Sequence, residues 1–133
     1  MIRILLGVFV VLHGLVHLLY VGQSGRFFEL QPGLTWPDGS WLFSQFLGVE
    51  ANRTLASILL VLVGVGFAAS GIGIIARLPW WRQVIVGSAL FSTAIFTLFY
   101  DGTAQHLDAK GAVAILINAA ILAVVLIFRR ASS

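Results

Sequence analysis

The chain has 133 residues, a formal net charge of +3, a mean hydropathy of +1.02 and 59% hydrophobic residues. So apolar a composition cannot form the surface of a soluble globule, and the length leaves room for one domain. The absence of cysteine excludes disulfides, thiolate metal sites, iron–sulfur ligation and thiol redox chemistry.

Four apolar stretches without an acidic or basic residue run at about 4–25, 54–76, 83–100 and 111–128. Each is near or above the roughly 18–20 residues a helix needs to cross about 30 Å of hydrocarbon. Backbone amides in lipid must be paired within the segment, so helices are the natural spanning form. Alternating strand patterns, which a barrel would need, are absent. Met1-Ile2-Arg3 before an apolar run resembles a signal-peptide start. The run is long, holds two histidines and has no clear A-x-A site after it, so a retained helix is expected.

The first predicted helix starts near Arg3 and ends near residues 22–25. His13, His17 and Tyr20 share one face, and Tyr20 and Gln23 are expected at the headgroup level. An aromatic loop follows, with turn signals at Pro32-Gly33 and Pro37-Asp38-Gly39. Residues 41–47 are expected to form a short surface helix capped by Asp38 or Ser40, and residues 26–50 to fold over the outer mouth of the bundle. Arg26 and Arg53 are expected to pair there with Glu29 or Glu50.

The second helix is rich in small residues. Gly66 and Ser70 are four apart, as are Ala69 and Gly73, a spacing that serves a dimer face or close packing within one chain. Leu78-Pro79-Trp80-Trp81 makes an inner turn. The third helix carries a polar strip of Ser88, Ser92, Thr93 and Thr97. Its end and the following loop hold Asp101, His106 and Asp108, of which Asp108 is placed to cap the fourth helix. Asn118 lies within that helix as a candidate interhelical hydrogen-bonding group.

The charges sort by end. Arg3, Arg77, Arg82, Arg129 and Arg130 fall at one set of helix ends, and all five acids (Glu29, Asp38, Glu50, Asp101 and Asp108) at the other. The positive-inside rule then puts both termini in the cytoplasm and the loops 26–53 and 101–110 outside. The expected architecture is an all-α, integral membrane four-helix bundle with an extracytoplasmic loop cap, a single domain over 1–133. Its expected location is the cytoplasmic membrane of a prokaryote. The basic balance comes from membrane-end arginines without a basic run, so a nucleic-acid partner is not indicated. Membrane lipid is the partner that composition implies.

The chemistry-bearing candidates centre on His13 and His17. One reading has two neutral imidazoles hydrogen-bonded to Ser92, Thr93, Thr97 or Asn118. A second is a divalent transition-metal site on His13 and His17, with His106, Asp101 or Glu50 completing the sphere. A third is a proton relay or a hydrogen-bonding wall for a quinone or other apolar ligand, formed by His13, His17, Tyr20, Ser92, Thr93 and Asn118 and closed by residues 36–47. The two histidines share one helix face and cannot sandwich a haem. No GxSxG, P-loop, GxGxxG or HExxH is present.

Arg3-Ile4-Leu5-Leu6-Gly7 followed by His13-Gly14-Leu15 is a basic end leading into an apolar helix with a His-Gly pair. With the chain length, the span count and the longer first outer loop, this resembles the DoxX-like family of small four-helix membrane proteins. The chain carries His17 where the family is expected to show lysine. The resemblance implies a redox-associated subunit with a quinone-linked role and a membrane or redox protein as partner. A small transporter or channel, dimeric through the second helix, and a non-catalytic membrane scaffold are the alternatives.

Overall fold

The computed structural model describes residues 1–102 and 110–131, and the described chain is all-helical. Its elements are α1 (Ile2–Ser24), a one-turn 3-10 segment (Phe43–Gln45), α2 (Val49–Ala76), α3 (Trp81–Leu98) and α4 (Ala112–Ala131). The first three long helices are apolar and long enough to cross a membrane, while the apolar run described in α4, Ala112–Ile127, is shorter. Large aliphatic side chains such as Leu12, Leu19, Ile58, Val65, Leu90 and Leu116 point away from the core.

Two of the helices differ from expectation at their ends. α2 begins at Val49 rather than 54, because extended Gly48 serves as its N-cap and Glu50 in the first turn suits the positive end of the helix dipole. α3 runs from Trp81 to Leu98, two residues earlier at each end than the expected 83–100. α2 stops at Arg77, which takes a left-handed conformation (φ 60°) while Leu78 N–H donates to the Gly73 carbonyl at 2.9 Å.

The helices pack in chain order: α1 on α2, α2 on α3, α3 on α4, with the first pair in the most extensive contact and α1 and α4 not closely packed on each other. Glycines make the α1 and α2 seam. A Cβ added at Gly14 would lie 2.7 Å from the Gly64 carbonyl oxygen, and one at Gly71 would lie 2.5 Å from that of Gly7. Backbone therefore meets backbone, as small residues allow in lipid. Gly66 faces Ser88 of α3 and Gly73 faces Trp81. The small-residue pattern of α2 is thus used inside one chain, and a bulky change at Gly66 would strike Ser88 before it touched any second copy.

The segment between α1 and α2 folds onto one end of the bundle, the cap end. α3 leaves its last carbonyls without helical donors, and the segment supplies them. Trp36 Nε1–H donates to Phe99 O at 2.9 Å, Trp41 N–H to Tyr100 O at 2.8 Å and Trp41 Nε1–H to Thr97 O at 2.7 Å, with Ser40 Oγ–H donating to Leu98 O. Trp36 is 1% exposed. Ser40 Oγ also accepts from Leu42 N–H at 3.3 Å and Phe43 N–H at 3.1 Å, while the expected surface helix over 41–47 is reduced to the single turn Phe43–Gln45, whose N-cap position is Leu42.

Asp38 has another task. It accepts from Arg53 Nε at 2.6 Å and Nη2 at 3.1 Å, and it pairs with Arg26. The expected pairing of these arginines with Glu29 or Glu50 is therefore corrected: one aspartate joins both, while a Glu29 carboxylate oxygen accepts from Gly33 N–H at 3.0 Å. Burial pushes the Asp38 pKa up. The hydrogen bond from Arg53 and the charge and hydrogen bond of Arg26 outweigh that push and hold it below its ordinary value.

Candidate functional site

α1 carries His13 and His17 one turn apart into the middle of the bundle, where they are 3% and 0% exposed. Their ring centroids are 4.8 Å apart and the planes nearly perpendicular, with Phe67 of α2 against both and Phe96 of α3 against His17. α3 brings Ser92 and Thr93, and α4 brings Asn118, which is fully buried.

The hydrogen bonds can be assigned direction from donor and acceptor chemistry alone. His17 Nδ1 lies 2.8 Å from the His13 carbonyl, which only accepts, so Nδ1 carries the proton. In the neutral ring Nε2 is then an acceptor, and it takes the Ser92 hydroxyl proton at 2.7 Å. Ser92 Oγ in turn accepts from Asn118 Nδ2 at 2.9 Å, as does Thr93 Oγ1 at 3.2 Å. Asn118 Oδ1 accepts from His13 Nε2 at 2.8 Å. The circuit closes with both imidazoles neutral, and it ties α1, α3 and α4 together. One atom is left over: His13 Nδ1, a buried lone pair with no partner.

Of the polar strip on α3, Ser92 and Thr93 join this circuit. Ser88 packs against Gly66, and Thr97 turns its hydroxyl to the Thr93 carbonyl at 2.7 Å. Tyr20 lies on the same face as the histidines, as expected, and is buried between Trp36 and Phe96 (ring centroids 5.7 and 4.9 Å).

The metal reading does not fit these donors. Both nitrogens of His17 are committed and His13 offers a single lone pair, so the pair cannot present two free imidazole nitrogens to one ion. Asp101 pairs with Lys110 at 2.8 Å, and His106 and Asp108 lie outside the described residues. Among the described residues no three histidine or acidic side chains gather. A quinone wall fits no better, because the donors of the circuit are all used within it.

The expected pocket under the cap is also displaced. The space beside the histidines is filled by Phe67 and Phe96, and Trp36 closes it from the loop side. A groove of about 800 Å³ opens at the opposite end, the arginine end, where α1 and α4 stand apart. Leu6, Phe9 and Val10 of α1 face Ala120, Ile121 and Val124 of α4 across it, and Ile85 of α3 and Ile74 of α2 also line it. Arg3, Arg77 and Arg82 line the same groove. Val10 and Ile121 are three residues from His13 and Asn118, so the groove ends one turn below the polar circuit.

Sequence reasoning passed over three contributors. Gln23, read from sequence only for its place near a helix end, is fully buried in the protein. Its amide donates to Leu34 O and Trp36 O, both at 3.0 Å, and its carbonyl accepts from Leu30 N–H at 2.8 Å, so it organises the loop. Asn52 donates to Asp38 O at 3.1 Å. The groove was missed because its residues are far apart in sequence, although the shared end of Arg3, Arg77 and Arg82 marked where it would open. Comparison with protein-family models, curated proteins and solved structures returns no match.

Proposed function

We propose that this chain is a multi-pass integral membrane protein, four helices crossing the bilayer with both termini cytoplasmic. We take it to hold an apolar, membrane-dissolved ligand in the groove between α1 and α4. The many large aliphatic side chains left exposed, Leu12, Val65 and Leu116 among them, support insertion, since so much apolar surface would be untenable in water. Charge placement supports the orientation, with Arg3, Arg77 and Arg82 at one end and Glu29, Asp38 and Glu50 at the other.

The groove is the observation that carries the ligand reading. Its volume of about 800 Å³ falls in the ~300–1,000 Å³ range of small-molecule sites, and its walls are almost wholly aliphatic and aromatic. The DoxX-like resemblance of the first helix adds a context, an accessory subunit of a redox complex with a quinone-like or other long-chain ligand. The histidine circuit serves this reading as the rigid floor of the groove.

The test is native mass spectrometry of gently extracted protein. Wild type should carry a reproducible added mass, whose identity after organic extraction reports the ligand. Ala120→Phe combined with Val124→Phe should empty the groove while leaving the fold intact. Unchanged occupancy in that double variant would sink the reading. Orientation has its own check: a reporter after Ser133 should read cytoplasmic and one inserted at Gly39 external.

A further inference from the structure

The groove reading leaves open what head the ligand carries, and the arginines around it bear on that choice. Arg3, Arg77 and Arg82 all line the groove, yet none forms an ion pair among the described residues. This contrasts with the cap end, where Arg26 and Arg53 are both neutralised by Asp38. Among the described residues the acids Glu29, Asp38, Glu50 and Asp101 lie in segments belonging to the other end, so none of these carboxylates is at hand for the groove arginines.

Two further observations point to a ligand. Arg3 Nε is buried with no hydrogen-bond partner, a donor held out of water and left unsatisfied. The Arg82 guanidinium sits over the Trp81 ring, 5.2 Å from its centroid, and Trp81 is itself a wall of the groove. Stacking fixes that guanidinium at the groove while leaving its N–H edge free. Planar guanidinium forks match the oxygens of a phosphate.

We infer that the groove between α1 and α4 is a site for an anionic phospholipid, its acyl chain against Leu6, Phe9, Val10 and Val124 and its phosphate on Arg3, Arg77 and Arg82. This rests on the groove being a ligand site and names its occupant's class. The wall from Arg3 to Val10 spans about 10 Å at 1.5 Å per residue, enough to seat the upper part of one chain. A neutral head such as a quinone ring would leave three cations beside it without a counter-charge.

The experiment uses the full chain reconstituted in phosphatidylcholine bilayers containing phosphatidylglycerol as a minor component, followed by mild extraction and quantification of retained lipid. Phosphatidylglycerol should be enriched on wild type over its bulk fraction. Arg3→Gln and Arg82→Gln should each lower that enrichment about fivefold, with thermal melting unchanged and phosphatidylcholine still retained. Arg82→Lys should keep most of it. Enrichment that survives both glutamine variants would reflect general attraction to a basic surface and would overturn the assignment. So would a groove filled by a neutral molecule or by a second copy of the chain. Ala120→Phe with Val124→Phe separates the levels: if it removes lipid while the glutamine variants change nothing, the groove stands and the phosphate contact falls. If it removes nothing, the groove reading itself fails.

Discussion

The two ends of the bundle solve the same problem in opposite ways. At the cap end, most strong polar groups of the described residues met a partner as the chain folded back, while Asn52 Oδ1 stays buried without one. Asp38 joins two arginines, Gln23 makes three hydrogen bonds, and Trp36 satisfies the Phe99 carbonyl just past α3 while filling space against Phe96. At the arginine end the connection between α2 and α3 is a tight turn, α1 and α4 stand apart, and Arg3, Arg77 and Arg82 form no ion pair among the described residues. The histidine circuit is the boundary between them. The lesson is that polarity in this chain marks closure in one half and access in the other.

The comparison can be broken at several points. Trp36→Ala should have the largest effect, a loss of about 3–5 kcal/mol typical of deleting a buried aromatic. Thermal melting in detergent reads it, and a change under 1 kcal/mol would mean that the loop only rests on the bundle. Asn118→Ala comes next. It leaves the His13 Nε2–H without an acceptor, at about 1–3 kcal/mol for the orphaned group, which exceeds the average of ~0.6 kcal/mol for an interhelical hydrogen bond in membranes. His13→Phe combined with Asn118→Leu removes both partners and should recover much of that loss; a purely additive double variant would contradict the assigned pairing.

Asp38→Asn should cost about 1 kcal/mol, the upper end for a partly exposed ion pair, and should change the acid response. The folded carboxyl has a pKa below its ordinary 3.8. The paired state therefore contributes fully above that value, and its contribution is lost as pH falls through the lowered one. Fluorescence of the loop tryptophans followed on acidification should show this transition in wild type and not in Asp38→Asn. The smallest effect belongs to the groove: Ala120→Phe should stay within about 0.5 kcal/mol of wild type, since it grows into open space.

Much of the fold was legible from hydropathy. All four apolar stretches are helices, and Ser40, His13, His17, Ser92, Thr93 and Asn118 take the contacts their residue types suggest. What failed was long-range arithmetic. Asp38 competes with Glu29 and Glu50 for two arginines, and only the path of the loop decides the winner. A histidine pair at helical spacing looks like a metal or ligand face until the tautomers are assigned, and the tautomers depend on Ser92 and Asn118 from other helices. The groove depends on α1 and α4 failing to meet, which no local pattern records.

The central claim, a closed cap half and an open arginine half, is tested most directly by photolabelling in the bilayer. A small apolar diazirine dissolved in the membrane, activated by light and mapped by peptide mass spectrometry, reports which buried residues touch membrane-dissolved molecules. Val10, Ile85 and Ile121 are as buried as the core, yet they line the groove, whereas Phe67 and Phe96 lie beside the histidines. Label on Val10, Ile85 and Ile121 with none on Phe67 or Phe96 is the predicted result. Label on Phe67 or Phe96, or protection of all five, would contradict it.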